Sequence, residues 1–208
     1  MDKTLIRVNT ARLFSKYRRD RGEATAFDGL QVGWWLLQYS VGRLNAQAVA
    51  KKALATYKDT LESDMFERCD EWFPQYVLPY VSERGREFVE LHRSRGDRLI
   101  IATSATIYGA DPLRRELEMD HVVCSSLLVD QGRFTGEVED PLCYGEGKRE
   151  KVAALLKEHG LNLQEATFYS DSITDLPLLE AVGEPVAVNP DLRLSREAKR
   201  RGWKIDRW

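Results

Sequence analysis

The stretch YSDSITDLPLLEAVGEPVAVNPD, Tyr169 to Asp191, decides how this chain folds. Its first residues close a short apolar run, EATFYSDS (Glu165–Ser172), that breaks into polar side chains as a buried strand does on reaching a loop. TDLPLLEAVG (Thr174–Gly183) then reads as a helix ending at glycine, and EPVAVNPD (Glu184–Asp191) returns to strand. Moving outward, DRLIIATSAT (Asp97–Thr106) is a second apolar run that ends in hydroxyls. A helix is expected over Pro112–Glu118, strand in HVVCSSLLV (His121–Val129), and a hairpin in DQGRFTGEV (Asp130–Val138) turned at Gln131-Gly132. KREKVAALLKEHG (Lys148–Gly160) is an amphipathic helix, and GWKIDRW supplies a last strand. This alternation predicts an α/β fold, a parallel sheet with helices on both faces. Such sheets bind ligands at the carboxyl ends of their strands. Here those ends carry Ser104, Asp171 and Asn189.

Residues 9 to 95 have another texture, helix after helix. Asn9 or Thr10 can cap the first, which Gly22 closes; an aromatic-rich helix follows around Val32–Val41, then one over Asn45–Leu61. Glu62–Val81 is expected to be helical but bent or broken at Pro74 and Pro79, and Arg86–Gly96 to end at its glycine. The block reads as an insert over the sheet edge, a cap. The expected division is therefore a core of residues 1–10 and 96–208 with a cap over 11–95.

A net charge of −2 gives no sign of wholesale nucleic-acid or membrane-surface binding, and KYRRDRG and REAKRRGWK read as solvated helix faces. Three scattered cysteines without a C-x-x-C pair argue for a reducing compartment. No run approaches the roughly 18 apolar residues of a membrane span, and charges, not an apolar core, follow Met1. The expectation is a cytoplasmic protein with neither nucleic acid nor membrane as partner.

Asp171 and Asp175 are the first chemical signal. Two carboxylates four residues apart at a strand end, without arginine nearby in sequence, suit a hard divalent cation such as Mg²⁺. They also suit a plain turn and helix start, where acids are favoured. Ser104, followed by the backbone N–H of Ala105, can bind a phosphate oxygen, although serines at strand ends are common. Lys148 is either a solvated lysine at a helix start or the cation that balances two carboxylates and a phosphate.

In order and spacing these residues resemble the haloacid dehalogenase superfamily of phosphohydrolases, in its phosphoserine-phosphatase-like branch. Asp2-Lys3-Thr4 is similar to the latter part of that superfamily's first motif, D-x-D-x-T; Ser104 fits the second motif, Lys148 the third, and Asp171 with Asp175 the fourth. The resemblance implies a Rossmann-like three-layer core with an all-helical cap inserted after the first motif. It also implies hydrolysis of a small phosphorylated metabolite through an aspartyl phosphate, with Mg²⁺ as cofactor. Asp2 would be the general acid and base, its backbone carbonyl a metal ligand, and Thr4 would fix the loop. Asp171 would ligate the metal with Asp175 in or beside its shell, while Ser104 and Lys148 would hold phosphoryl oxygens.

The pattern departs from the family in three places. The first aspartate of D-x-D-x-T falls one residue before Met1, so the expectation is a start upstream that supplies both a first strand and the nucleophile. Taking Asp2 as the nucleophile instead would put Thr4 in the acid/base position with no strand ahead of the motif. Asn9 stands where phosphoserine phosphatases carry a glutamate for the substrate amine, which makes it a candidate substrate contact but argues against phosphoserine. Thr174 replaces an asparagine found in many relatives. The alternatives are a catalytically inactive phosphate- and metal-binding protein and a phosphotransferase. Trp34, Trp35, Tyr39 and Trp72 either line the substrate pocket or form the core of the cap.

Overall fold

The computed structural model describes residues 1–23 and 55–208. The helix expected around Val32–Val41 and most of that over Asn45–Leu61 lie outside the described residues, with Trp34, Trp35 and Tyr39. After helix α1 (Thr10–Asp20) come α2 (Glu62–Trp72), a π turn and a 3-10 turn over Phe73–Tyr80, and α3 (Glu83–Ser94). The change of helix type occurs at Pro74 and Pro79, where a missing N–H prevents the α ladder from continuing.

From residue 100 strands and helices alternate. Strand β1 (Ile100–Thr106) leads into α4 (Ile107–Glu116) and then β2 (His121–Ser125). Next come the hairpin strands β3 (Leu127–Asp130) and β4 (Arg133–Val138), α5 (Glu146–Glu158) and β5 (Thr167–Ser170). The chain ends with α6 (Leu176–Leu179), β6 (Glu184–Val188), α7 (Leu192–Arg201) and β7 (Lys204–Asp206). Gln131 and Gly132 turn the hairpin with φ of 46° and 75°, the left-handed pair a tight two-residue turn requires.

Two helices differ from the sequence expectation. α4 begins at Ile107, directly off β1, and Pro112 lies inside it instead of opening it. The expected helix over Thr174–Gly183 is a 3-10 turn at Ile173–Asp175 followed by the single α turn of α6.

The parallel strands form two sets. β1 pairs with β2 in the register Ile100↔His121 to Ala102↔Val123, and β5, β6 and β7 pair in that order. Successive residues of a strand point to opposite faces, and the burial clusters follow that rule. Ile101 belongs to the cluster with Trp72, Val77, Val89 and Leu113, whereas its neighbours Ile100 and Ala102 pack on Val152, Leu156 and Leu178. Helices therefore cover both faces, giving the three-layer α/β architecture. Trp72 is 2% exposed and meets Phe14 edge to face at 5.4 Å, a core residue of the helical region. The basic runs lie on the surface: Lys16 pairs with Asp20, Arg200 with Glu197, and Arg201 with Glu197 and Glu180. Among the described residues, no helix is long and apolar enough to cross a membrane, and Cys69, Cys124 and Cys143 are free thiols.

Gly147, one residue before Lys148, has no room for a side chain. A Cβ there would collide with the Leu142 carbonyl and the Pro141 ring. Gly147→Ala is expected to cost about 1–3 kcal/mol, the usual range for overpacking, measured as a lower urea midpoint at unchanged m value.

Candidate functional site

The N-terminal residues form a turn around one carbonyl. Met1 O accepts hydrogen bonds from the amides of Thr4, Leu5 and Ile6 at 3.3, 2.8 and 3.1 Å, with Lys3 at a φ of 52°. Thr4 is buried, and its hydroxyl donates to the Asp2 carbonyl at 3.4 Å. The Asp2 side chain turns onto the start of α1. There Oδ2 accepts from the Thr10 N–H at 3.0 Å and from its hydroxyl at 3.1 Å. Free amides and the helix dipole favour a carboxylate at that point. The other oxygen, Oδ1, is buried with no hydrogen-bond partner. Burial outweighs the favourable contacts and holds the Asp2 carboxyl above the ordinary range.

Lys148 lies in the first turn of α5, behind a Gly145 with φ 55°. Its amine is buried and donates to Asp175 Oδ1 at 2.5 Å. Asp175 Oδ2 accepts from the Ser170 hydroxyl at 2.7 Å, so both oxygens of this carboxylate are engaged by protein groups. Asp171 follows β5 directly, and burial raises its carboxyl above the usual value. Burial also lowers the amine of Met1, which feels the charges of Asp2, Lys148, Asp171 and Asp175 together. Four of the residues singled out in the sequence therefore converge at the carboxyl ends of the strands.

Ser104, Ala105 and Asn9 are placed differently. The β1–β2 register breaks between Ala102 and Thr106, an irregularity that re-aims side chains. Ser104 is exposed there, while Thr103 beside it is buried. The Ala105 N–H donates to Thr103 Oγ1 at 3.2 Å, so it does not stand free for a phosphate oxygen in this conformation. Asn9 is the N-cap of α1, accepting from the Arg12 N–H at 3.2 Å. Its side chain is committed to the helix instead of pointing at a ligand.

Several residues to which the motifs assign no role also hold the site together. Thr10 aims Asp2, and Ser170 orients Asp175. Asn189, with φ 43°, donates to the Lys3 carbonyl at 3.0 Å and accepts from the Trp208 N–H at 3.0 Å, pinning the Asp2 loop to the end of β6. Asp191 accepts from Ile173 N at 2.9 Å and caps α7, while its own N–H donates to the Asp171 carbonyl at 2.8 Å. The sequence signal available for these was their position immediately before or after a strand or at a helix start.

The donors suit a hard cation only in part. Among the described residues no three His, Cys, Asp or Glu side chains are grouped to hold a metal. Asp2 offers an unpartnered buried oxygen, and Asp171 a buried carboxylate whose ionised form is disfavoured by its surroundings. The Asp171 carboxylate together with the Asp2 backbone carbonyl fits Mg²⁺, which takes one or two protein carboxylates and retains water. Asp175, held by Lys148 and Ser170, fits a supporting position better than direct ligation.

The family model for haloacid dehalogenase-like hydrolases matches residues 1–180. The chain is 31% identical over 210 residues to a histidinol-phosphatase of Neisseria meningitidis, covering 99% of this chain and 95% of that one. It is 29% identical over 209 residues to a phosphoserine phosphatase of Mycobacterium tuberculosis, covering 99% and 68%. A solved structure of a protein of unknown function from Bordetella pertussis matches with a TM-score of 0.91 at 27% identity, over 99% of this chain and 95% of that one. Against other mycobacterial relatives the chain spans 66% of their length.

The raised Asp171 carboxyl has a consequence for stability. An acid whose folded value lies above its unfolded value destabilises the fold once ionised; that cost is present above the folded value and vanishes below the unfolded one. In metal-free buffer at neutral pH, Asp171→Asn is expected to raise the thermal midpoint. The gain should disappear as pH falls below about 4, the unfolded aspartate range. Equal midpoints at neutral pH would contradict the buried placement.

Proposed function

The chain belongs to the haloacid dehalogenase-like hydrolase family, and from that premise we propose that it is a Mg²⁺-dependent phosphatase of a small phosphomonoester. The observation that carries this reading is the buried Lys148–Asp175–Ser170 network facing Asp2 and Asp171 at one sheet edge. A positioned cation at a buried sheet edge suits a phosphoryl group once a divalent metal balances the carboxylates around it.

In this reading the nucleophile is an aspartate at the position immediately before Met1. Its carboxylate attacks phosphorus, the ester oxygen leaves, and water then cleaves the aspartyl phosphate. Asp2 gives its proton to the leaving oxygen and takes one from the attacking water. Its raised carboxyl favours retaining a proton for the first of these steps, and Thr10 fixes the oxygen that does not carry it. Lys148 draws in a phosphoryl oxygen while Asp175 holds its amine in place. Ser104, on the irregular end of β1, reaches a second phosphoryl oxygen. Asp171 and the Asp2 backbone carbonyl would hold Mg²⁺, which would supply positive charge to offset the repulsion between the attacking carboxylate and the phosphate. The named activities of the relatives, on histidinol phosphate and phosphoserine, mark the substrate class. With Asn9 occupied as a helix cap, no carboxylate at that position pairs with a substrate ammonium, which favours a phosphomonoester other than phosphoserine.

The test uses p-nitrophenyl phosphate. The 208-residue chain is expected to show negligible hydrolysis, and a chain carrying Asp before Met1, preceded by a short apolar strand, Mg²⁺-dependent turnover. Asn in place of that Asp should abolish it, as should Asp171→Asn. Strong turnover by the 208-residue chain would overturn the nucleophile assignment.

A further inference from the structure

The turn after β6, Asn189-Pro190-Asp191, is bonded to both turns that carry the candidate carboxylates. Its base is firm. Val186, Ala187 and Val188 of β6 are fully buried, and the Asn189 N–H donates to the Asp206 carbonyl of β7 at 3.0 Å. Asp191 Oδ1 accepts from the Arg193 and Leu194 amides at the start of α7, both at 2.8 Å. From this base one arm reaches each neighbouring turn. The Asn189 amide donates to the carbonyl of Lys3, beside Asp2, at 3.0 Å. On the other side, Asp191 Oδ2 accepts from the Ile173 N–H at 2.9 Å, and the Asp191 N–H donates to the Asp171 carbonyl at 2.8 Å.

We propose that Asn189 and Asp191 are positioning residues, a two-armed brace that sets the separation of Asp2 and Asp171. Its catalytic consequence rests on the phosphatase reading. The two carboxylates lie on separate turns, so their spacing depends on what joins those turns. Residue type supports the role at each arm. The Lys3 carbonyl can only accept, and the Trp208 N–H, which meets Asn189 Oδ1 at 3.0 Å, can only donate. The side chain between them therefore needs one donor and one acceptor, as an amide has. Its backbone φ of 43° admits few side chains other than asparagine. Both ends of the arm are left-handed, Lys3 at 52° and Asn189 at 43°, a conformation that persists where the surroundings over-determine it. Asp191 divides its oxygens between α7 and Ile173. A helix cap alone needs only one acceptor, which Ser or Asn supplies equally well. The second oxygen serves the Asp171 turn.

Two isosteric swaps test the brace. Asn189→Asp keeps an acceptor for Trp208 and loses the donor to Lys3; Asp191→Asn keeps the α7 cap and loses the acceptor for Ile173. Turnover of p-nitrophenyl phosphate is measured on whichever form hydrolyses it, the 208-residue or the Asp-extended chain, and amide exchange on the 208-residue chain. Each swap is expected to lower kcat about ten- to a hundredfold, the effect of a misplacement near 1 Å. KM should change less than about threefold, since Lys148 is untouched. Cutting either arm frees the spacing, so the double variant should lose no more than the worse single one, whereas independent structural effects would multiply. Exchange should quicken at residues 4–6 in Asn189→Asp alone and at Ile173 in Asp191→Asn alone. Unchanged kcat in either single variant, a loss confined to KM, or fully multiplicative losses would overturn the brace. Absence of turnover in both unsubstituted forms counts against the phosphatase reading instead. The exchange pattern then decides: quickening confined to the cut arm supports the brace, and unchanged exchange overturns it. Should Asn189→Asp not fold, Asn189→Gly, which accepts the same φ, takes its place.

Discussion

The contact on which the site depends is the buried ion pair between Lys148 and Asp175. Each side chain is about nine-tenths removed from solvent, so neither charge is tolerable without the other. Removing one partner of such a pair leaves an uncompensated charge at a cost of about 3–5 kcal/mol. The geometry around it is accordingly over-determined. Ser170 at the end of β5 takes the second Asp175 oxygen, and Gly147 lets the start of α5 come close enough to Leu142 for Lys148 to reach inward. The pair thereby ties α5 to the β5 loop and leaves a positive group at the sheet edge.

The remaining loops are tied to that edge by backbone bonds instead of by charge. Asn189 grips the Lys3 carbonyl, Asp191 joins the β5 and β6 loops, and Thr10 takes Asp2. Asp2 and Asp171 remain the least satisfied groups of the assembly, one with an orphaned oxygen and both with raised carboxyls. Buried carboxyls raised by their surroundings are common at functional sites.

The layer architecture was legible in the amino-acid sequence because strands covered on both faces read as unbroken apolar runs. LIIAT and TFYS are such runs; β1 begins in the first at Ile100 and continues to Thr106, and β5 coincides with the second. The start of α4 was not legible, since Pro112 resembles a helix opener and Ile107-Tyr108-Gly109 continues the apolar texture of β1. In the structure Pro112 sits in the second turn, where it removes the hydrogen bond its N–H would make to Tyr108 and crowds that carbonyl. At the site, the spacing of Asp171 and Asp175 was readable, but the division between them was not. Whether a carboxylate faces a ligand or a lysine depends on Ser170 and Lys148, one outside the motif and one 27 residues away along the chain. Asn9 likewise carried two readings, and the Arg12 amide decided for the helix cap.

In the proposed reading the carboxyl edge of this sheet is a centre of phosphoryl transfer whose acceptor is the residue before Met1. The most direct measurement is acid-quenched peptide mass spectrometry on the Asp-extended chain during turnover of p-nitrophenyl phosphate. One acid-stable, hydroxylamine-sensitive phosphoryl group on the residue preceding Met1 is the predicted result. Turnover accompanied by a label on Asp2 or Asp171, or by no protein-bound phosphoryl group under single-turnover conditions, would contradict it.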